Sequence, residues 1–220
     1  RQRQMCIRDR ERGRDVTVND EKLVAASLVK LYIMLAVFDG IEHDTITDDA
    51  NVDALLKQMI TVSSNEAANG LLSRIGNGDG KAAIATVTAT AQRYGFTSSE
   101  ELRTLTGMAS GNAVENWTST RDCGSFLSQV YAGTLVSKNA SERMMQLLLG
   151  QTRRTKIPAG VPSGVKVANK TGELAAVQND VAIVFGTHPY VLAVMSSDIS
   201  SAVAPSQITE LSRAVWDAAQ

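Results

Sequence analysis

The chain has 220 residues, 44% of them hydrophobic and 20% charged, with a formal net charge of -1. That is enough sequence for one substantial core or two small lobes, and too little charge to gather nucleic acid or an anionic membrane. No apolar run is long enough to cross a bilayer, since Leu23 to Phe38 is broken by Ser27 and Lys30. Cys6 and Cys123 cannot make a disulfide framework, and His43 and His188 have no metal-ligand spacing, so no metal and no other cofactor is expected.

The N-terminus, "RQRQMCIRDRERGRD", has a basic start with no apolar segment behind it, so the chain as given carries no export signal. Within it "MCIRDR", Met5 to Arg10, looks like one reading frame of a sequencing-library transposon end. Residues 1–13 therefore read as an artefact or as a disordered basic tail, and residues 14–220 as one domain.

Helical patterns fill the first two thirds. Val24 to Phe38 closes at Gly40, Asp53 to Ile60 is amphipathic, Asn65 to Ile75 runs to Gly76, and Lys81 to Tyr94 stops at Gly95. Phe96 to Trp117 has weak periodicity and reads as a long loop, a length that is usually functional or disordered. Ser119 to Tyr131 and Ser141 to Leu149 are the next helices, ending at Gly133 and Gly150. After Gly150, "GVKVANKTGEL", "QNDVAIVFG" and "YVLAVMSS" read as an antiparallel meander of three strands, followed by a helix from Pro205 to Ala219.

Three short motifs lie on this frame. Ser27 and Lys30 form S-x-x-K at the head of an apolar helix, where positions three apart share one side and can touch. Ser163 and Lys166 repeat the spacing where a strand begins, and there the two side chains point to opposite faces. Ser63 and Asn65 form S-x-N before a helix; the pattern is weak alone, recurring at Ser110 with Asn112 and Ser137 with Asn139. Lys170, Thr171 and Gly172 form K-T-G, which chance supplies in about one such chain in twenty. Taken alone, Asn65 could cap its helix, Lys170 could be a solvated strand residue and Ser63 a turn former. Order, spacing and context together outweigh those readings. A buried amine tends to lose its proton, so Lys30 beside Ser27 is a base beside a nucleophile.

On these motifs, and on "VAASLVKLYIM", "SSNEAANGLL", "TSTRDCGSFL" and "KTGEL", the sequence resembles the class A β-lactamase and penicillin-binding protein superfamily from about Leu23 onward. The resemblance implies an α+β sandwich of helices on an antiparallel sheet, residues 14–50 and 151–220, with an inserted all-helical lobe, 51–150. It implies an acyl-enzyme on Ser27, Lys30 as base, Ser63 as proton relay, and Asn65 holding the substrate's amide. Lys170, with Thr171 and Gly172, would face a substrate carboxylate and help keep Lys30 neutral. Backbone N–H groups of Ser27 and Glu173 would form the oxyanion site.

The implied substrates are small molecules, β-lactams or peptidoglycan-derived D-alanyl peptides. The implied protein is a secreted, periplasmic or cell-surface monomer with no nucleic-acid partner and no membrane insertion. Family members also draw sheet strands from upstream of S-x-x-K, and this chain has almost no sequence to supply them, so a bare sheet edge is expected.

Two departures stand out. Ser64 replaces the aspartate of S-D-N, and "RTLTGMASGN", Arg103 to Asn112, lacks the glutamate that activates the deacylating water. Glu100, Glu101 and Glu115 are not followed by asparagine at the required spacing, and Glu115 reads as a stabiliser of the next helix N-terminus. Acylation is therefore expected with slow release, and a sensor or binding module that is acylated once is the alternative to an efficient hydrolase.

Overall fold

The computed structural model describes residues 2–9, 14–105 and 114–220. The middle of the predicted loop, including Ser110 and Asn112, lies outside the described residues. The molecule is built on a five-stranded antiparallel sheet of order β2-β1-β7-β6-β5. Its strands are β1 (Gln2–Asp9), β2 (Arg14–Val18), β5 (Lys166–Leu174), β6 (Val177–Phe185) and β7 (Tyr190–Ser197). A two-stranded ribbon joins β3 (Leu23–Val24) to β4 (Trp117–Thr118). The helices are α1 (Lys30–Glu42), α2 (Ala50–Thr61), α3 (Asn65–Ile75), α4 (Gly80–Arg93), α5 (Thr120–Ala132), α6 (Lys138–Leu149) and α7 (Ala204–Ala219).

The central strands are covered on both faces. Val181 and Ile183 of β6, with Val191, Ala193 and Met195 of β7, join the core beneath the helices α1 to α6. The alternate residues Ala182, Val184, Tyr190, Leu192 and Val194 join Ile208 and Val215 of α7. A pleat with period two thus feeds two cores, which is why these strands read as continuous apolar runs rather than alternating ones.

Two expectations need correction. Residues 2–9 are not a disordered tail: β1 pairs with β7 from Gln2↔Ser197 to Asp9↔Tyr190 and with β2 on its other side. Of the strands expected to be missing, β1 is supplied by the segment set aside and β2 by the residues just after it. Cys6 is fully buried against α5, while Met5 and Ile7 pack on the other core, so this short strand is apolar on both faces and shows no alternation. The first helix also differs: Val24 belongs to β3, Ala26–Val29 is a 3-10 turn, and α1 runs through Gly40 to Glu42.

Helix starts follow side-chain chemistry. Asp49, Ser64, Asp79, Ser119 and Ser137 each accept a hydrogen bond from a first-turn backbone N–H. The cap of α3 is Ser64, not Asn65, and this leaves the Asn65 side chain free for another partner.

Candidate active site

Ser27 sits in the 3-10 turn between β3 and α1, partly exposed, with Lys30 one turn later and fully buried. Lys30 Nζ donates toward Ser27 Oγ at 3.2 Å, Ser63 Oγ at 3.1 Å, the Ser63 carbonyl at 2.6 Å and Asn65 Oδ1 at 2.7 Å. Lys170 Nζ reaches the same Ser63 Oγ at 3.0 Å and the Thr171 carbonyl at 2.8 Å. One hydroxyl, Ser63, therefore bridges two buried amines. By contrast Ser163 and Lys166 are both exposed, and no hydrogen bond joins them among the described residues.

The backbone here is strained. Ala26 and Ser63 have φ of 47° and 63°, the left-handed region that ordinary residues avoid at a cost of about 1–3 kcal/mol each. The turn that carries Ser27 is held against that strain from both sides. Ala25 N–H donates to the Asn116 carbonyl at 2.8 Å, and Asn179 Nδ2 donates to the carbonyls of Val24 and Ala25 at 3.1 and 3.2 Å. Gly172 brings β5 against this turn: a Cβ there would lie 2.7 Å from the Ala25 carbonyl oxygen and 3.2 Å from Leu28 N. The glycine of K-T-G is required by that approach.

Both amines are pushed toward the neutral form. Burial first, then the Arg153 charge, lowers Lys30 to about 8. Burial, then Lys30 and Arg153, holds Lys170 well below the ordinary lysine value. Because both amines reach Ser63 Oγ, each disfavours the charged form of the other, and Arg153 adds to the effect on both. Lys170 is also fully buried, whereas the Arg153 side chain is 48% exposed beside the site.

A cavity of about 110 Å³ opens at Ser27, lined also by Asn65, Arg103, Leu105, Glu115 and Glu173. Leu105 occupies the wall because Asn69 Oδ1 accepts its N–H at 2.9 Å, while Asn116 Oδ1 accepts the N–H groups of Leu102 and Arg103. Glu115 does not serve the next helix. Its carboxylate pairs with Arg103 at 3.0 Å on the cavity wall, and the cap of α5 is Ser119. A larger cavity of about 550 Å³ near Asp53, Lys57 and Arg143 lies apart from these groups, with Arg143 already paired to Asp48 and Asp53.

Sequence reasoning missed Asn69, Asn116, Asn179, Arg153 and Lys156. The three asparagines act from single positions without a motif. The two cations lie in "TRRTK", which carries three basic residues in short order with no spacing rule to mark them.

With this geometry in view, the comparisons are decisive for family. The profile of the β-lactamase enzyme family matches residues 44–219. The chain belongs to this family. The solved structures it resembles share its fold, the α+β sandwich expected from the motifs. The crystal structure of a β-lactamase from Sphaerobacter thermophilus DSM 20745 superposes with TM-score 0.87 at 21% identity, covering 99% of this chain and 91% of that one. A variant of PBP-A, solved as its acyl-enzyme complex with penicillin G, gives TM-score 0.84 at 22% identity over 99% and 89% of the two chains. An ancestral class A β-lactamase gives 0.83 at 21% identity over 99% and 94%. No curated protein matches by sequence. No helix among the described residues is long and apolar enough to cross a membrane.

Proposed function

We propose that this family member is a serine hydrolase that forms an acyl-enzyme on Ser27 with β-lactams or D-alanyl peptides and releases it slowly. The observation that carries the reading is the Lys30 amine 3.2 Å from Ser27 Oγ, buried and lowered to about 8. In its neutral form Lys30 takes the Ser27 proton as Oγ bonds to the substrate carbonyl carbon. The oxyanion would be met by the backbone N–H groups of Ser27 and Glu173; β5 is the outermost strand, so part of its backbone edge is free for a ligand. Collapse breaks the carbon–nitrogen bond, and Ser63 Oγ, supplied by the amines on either side, protonates the departing nitrogen. Asn65, Thr171 and Gly172 complete the substrate-binding wall, and family resemblance favours an envelope or extracellular setting.

Slow release is supported by the cavity wall. Leu105 presents an apolar side chain toward Ser27, and the nearest carboxylates, Glu115 and Glu173, are paired to cations. This favours the second reading, a sensor that remains acylated, over an efficient lactamase. Incubation with a fluorescent penicillin, followed by intact mass over time, tests both. We expect one adduct on Ser27 that persists and is absent from Ser27→Ala. Labelling of Ser27→Ala at the parent rate would end the proposal; rapid decay of the adduct would end the slow-release part alone.

A further inference from the structure

Glu101 stands two residues before Arg103 and takes no part in the reaction above. It is 1% exposed, and neither carboxylate oxygen has a hydrogen-bond partner among the described residues. Around it the backbone is tied down. Glu101 N–H donates to Thr88 Oγ1 at 3.0 Å, and that hydroxyl donates back to the Glu101 carbonyl at 3.0 Å. Glu100 and Trp117 exchange two backbone hydrogen bonds of 3.0 Å. With Asn116 holding Leu102 and Arg103, and Asn69 holding Leu105, residues 100–105 form a strap fixed to α3, α4 and β4 that carries Arg103 and Leu105 to the cavity at Ser27.

Among the described residues no cation reaches the buried carboxyl. On the strap itself Glu100 pairs with Lys22 and Arg103 with Glu115. On α4 Lys81 and Arg93 are exposed, and Arg93 pairs with Asp39; on α3 Glu66 and Arg74 are exposed, and Arg74 pairs with Asp49. On α5 the Asp122 carboxylate accepts from Ser98 N–H and Ser99 Oγ. Burial alone acts on Glu101 and raises its carboxyl to about 8. A closed strap holds a proton that an open, solvated strap gives up, so the closed-to-open ratio falls by up to about tenfold per pH unit between about 4.5 and 8 and levels above that. The Ser27 turn is held separately, by the Asn116 carbonyl and by Asn179, so opening of the strap leaves Ser27 in place.

We propose that Glu101 is a proton-operated latch on residues 100–105: protonated, it keeps Arg103 and Leu105 on the wall of the Ser27 cavity, and ionised, it frees them and admits water to the acyl-enzyme. Resting on the acyl-enzyme reading, this latch regulates the release step of that same site, which is slowest at mildly acidic pH and quickens toward pH 8. In release a water oxygen bonds to the ester carbonyl carbon, the bond from that carbon to Ser27 Oγ breaks, one water proton returns to Oγ, and the acyl group leaves as an acid.

The test follows decay of the penicillin G adduct by intact mass, after excess penicillin is removed, in the full-length parent, Glu101→Gln and Glu101→Leu. Both variants fill the position without an ionisable group, and rate ratios at matched pH cancel the titration of Lys30 and attack by hydroxide. The parent-to-variant release ratio is expected near one at about pH 5, to reach about tenfold or more by about pH 8, and to level above it. A ratio that stays flat, or falls as pH rises, overturns the latch. Hydrogen exchange on the unacylated proteins reads the strap directly. The N–H groups of Glu101, Leu102, Arg103 and Leu105 should be less protected than those of β6, which marks a local opening, and should lose about tenfold in protection relative to both variants over the same interval. Protection equal to that of β6, or equal in parent and variants at every pH, sinks the latch. If no adduct forms on the folded parent, the acyl-enzyme reading falls, and the exchange comparison still decides whether Glu101 holds the strap.

Discussion

At the scale of single residues, the chemistry turns on how a buried lysine is made basic without losing its partners. Lys30 has four acceptors within 3.2 Å, more than a protonated amine's three hydrogens can serve singly, and burial still lowers it to about 8. With the neutral amine as the proposed base, acylation of Ser27 should rise about tenfold per pH unit below 8 and level off above it. Lys30→Ala should slow labelling by about 10²–10⁴ and remove that limb, read from adduct formation between pH 5 and 10. A flat profile in the parent would mean another group takes the proton. Leu105 gives the complementary case. A glutamate there would put a carboxylate on the cavity wall beside Ser27, with the backbone still held by Asn69. Leu105→Glu is therefore expected to shorten the adduct's lifetime by about a hundredfold with little change in its formation rate, measured by mass after removing excess penicillin. The contact between Ser27 and Lys30 was legible in sequence because a helical turn fixes i to i+3 neighbours locally. Arg153 was not, because its nearness to Lys30 depends on where β5 and α6 leave the chain.

At the scale of elements, the segment from Phe96 to Trp117 shows how far pattern reading reaches. It was legible as a functional loop, yet what fixes its first part is tertiary. Phe96 packs between Tyr32 and Phe126 with ring centroids 5.7 and 5.6 Å away, and Asn116 clamps Leu102 and Arg103. Between these anchors Glu101 is 1% exposed, and neither carboxylate oxygen has a hydrogen-bond partner among the described residues. Burial raises its carboxyl from the ordinary 4.5 to about 8. The folded state then holds a proton that the unfolded chain has released, so Glu101's contribution is full below about 4.5 and is lost as pH rises toward 8. Asp180, also raised by burial, to about 6, adds a loss of the same sign that is complete at lower pH. Between pH 6 and 8 Glu101 removes up to about 1.4 kcal/mol per unit, while Lys30 and Lys170, both lowered, act with the opposite sign, so the difference between parent and variant isolates Glu101. Relative to the parent, Glu101→Gln should gain in Tm across that interval and stand several degrees more stable at pH 8. Parallel curves for the two proteins would show that Glu101 is solvated or paired in solution.

At the scale of the whole molecule, the sheet decides whether the site can exist, because β5 meets the nucleophile turn only if β6 and β7 are held behind it. β7 is buried along nearly its whole length and lies between β6 and β1. The three-strand meander was legible from its apolar runs, but the order of the sheet was not: β1 joins β7 across most of the chain length, and its charged flanks masked a short apolar centre. Removing residues 1–13 would strip β1 from β7, leave β2 without a partner and uncover Cys6, Met5 and Ile7 contacts on both faces of the sheet. Losing three such side chains costs about 5 kcal/mol or more, which at 2–4 °C per kcal/mol for a chain of this size lowers Tm by more than about 10 °C. The freed β7 edge presents unpaired backbone groups to other copies, so the shortened chain should also associate as its concentration rises. Thermal melts together with size-exclusion light scattering over a concentration series measure both effects. An unchanged Tm and a constant monomer mass would mean that β1 contributes nothing to the sheet in solution, and that β7 is protected by something other than residues 2–9.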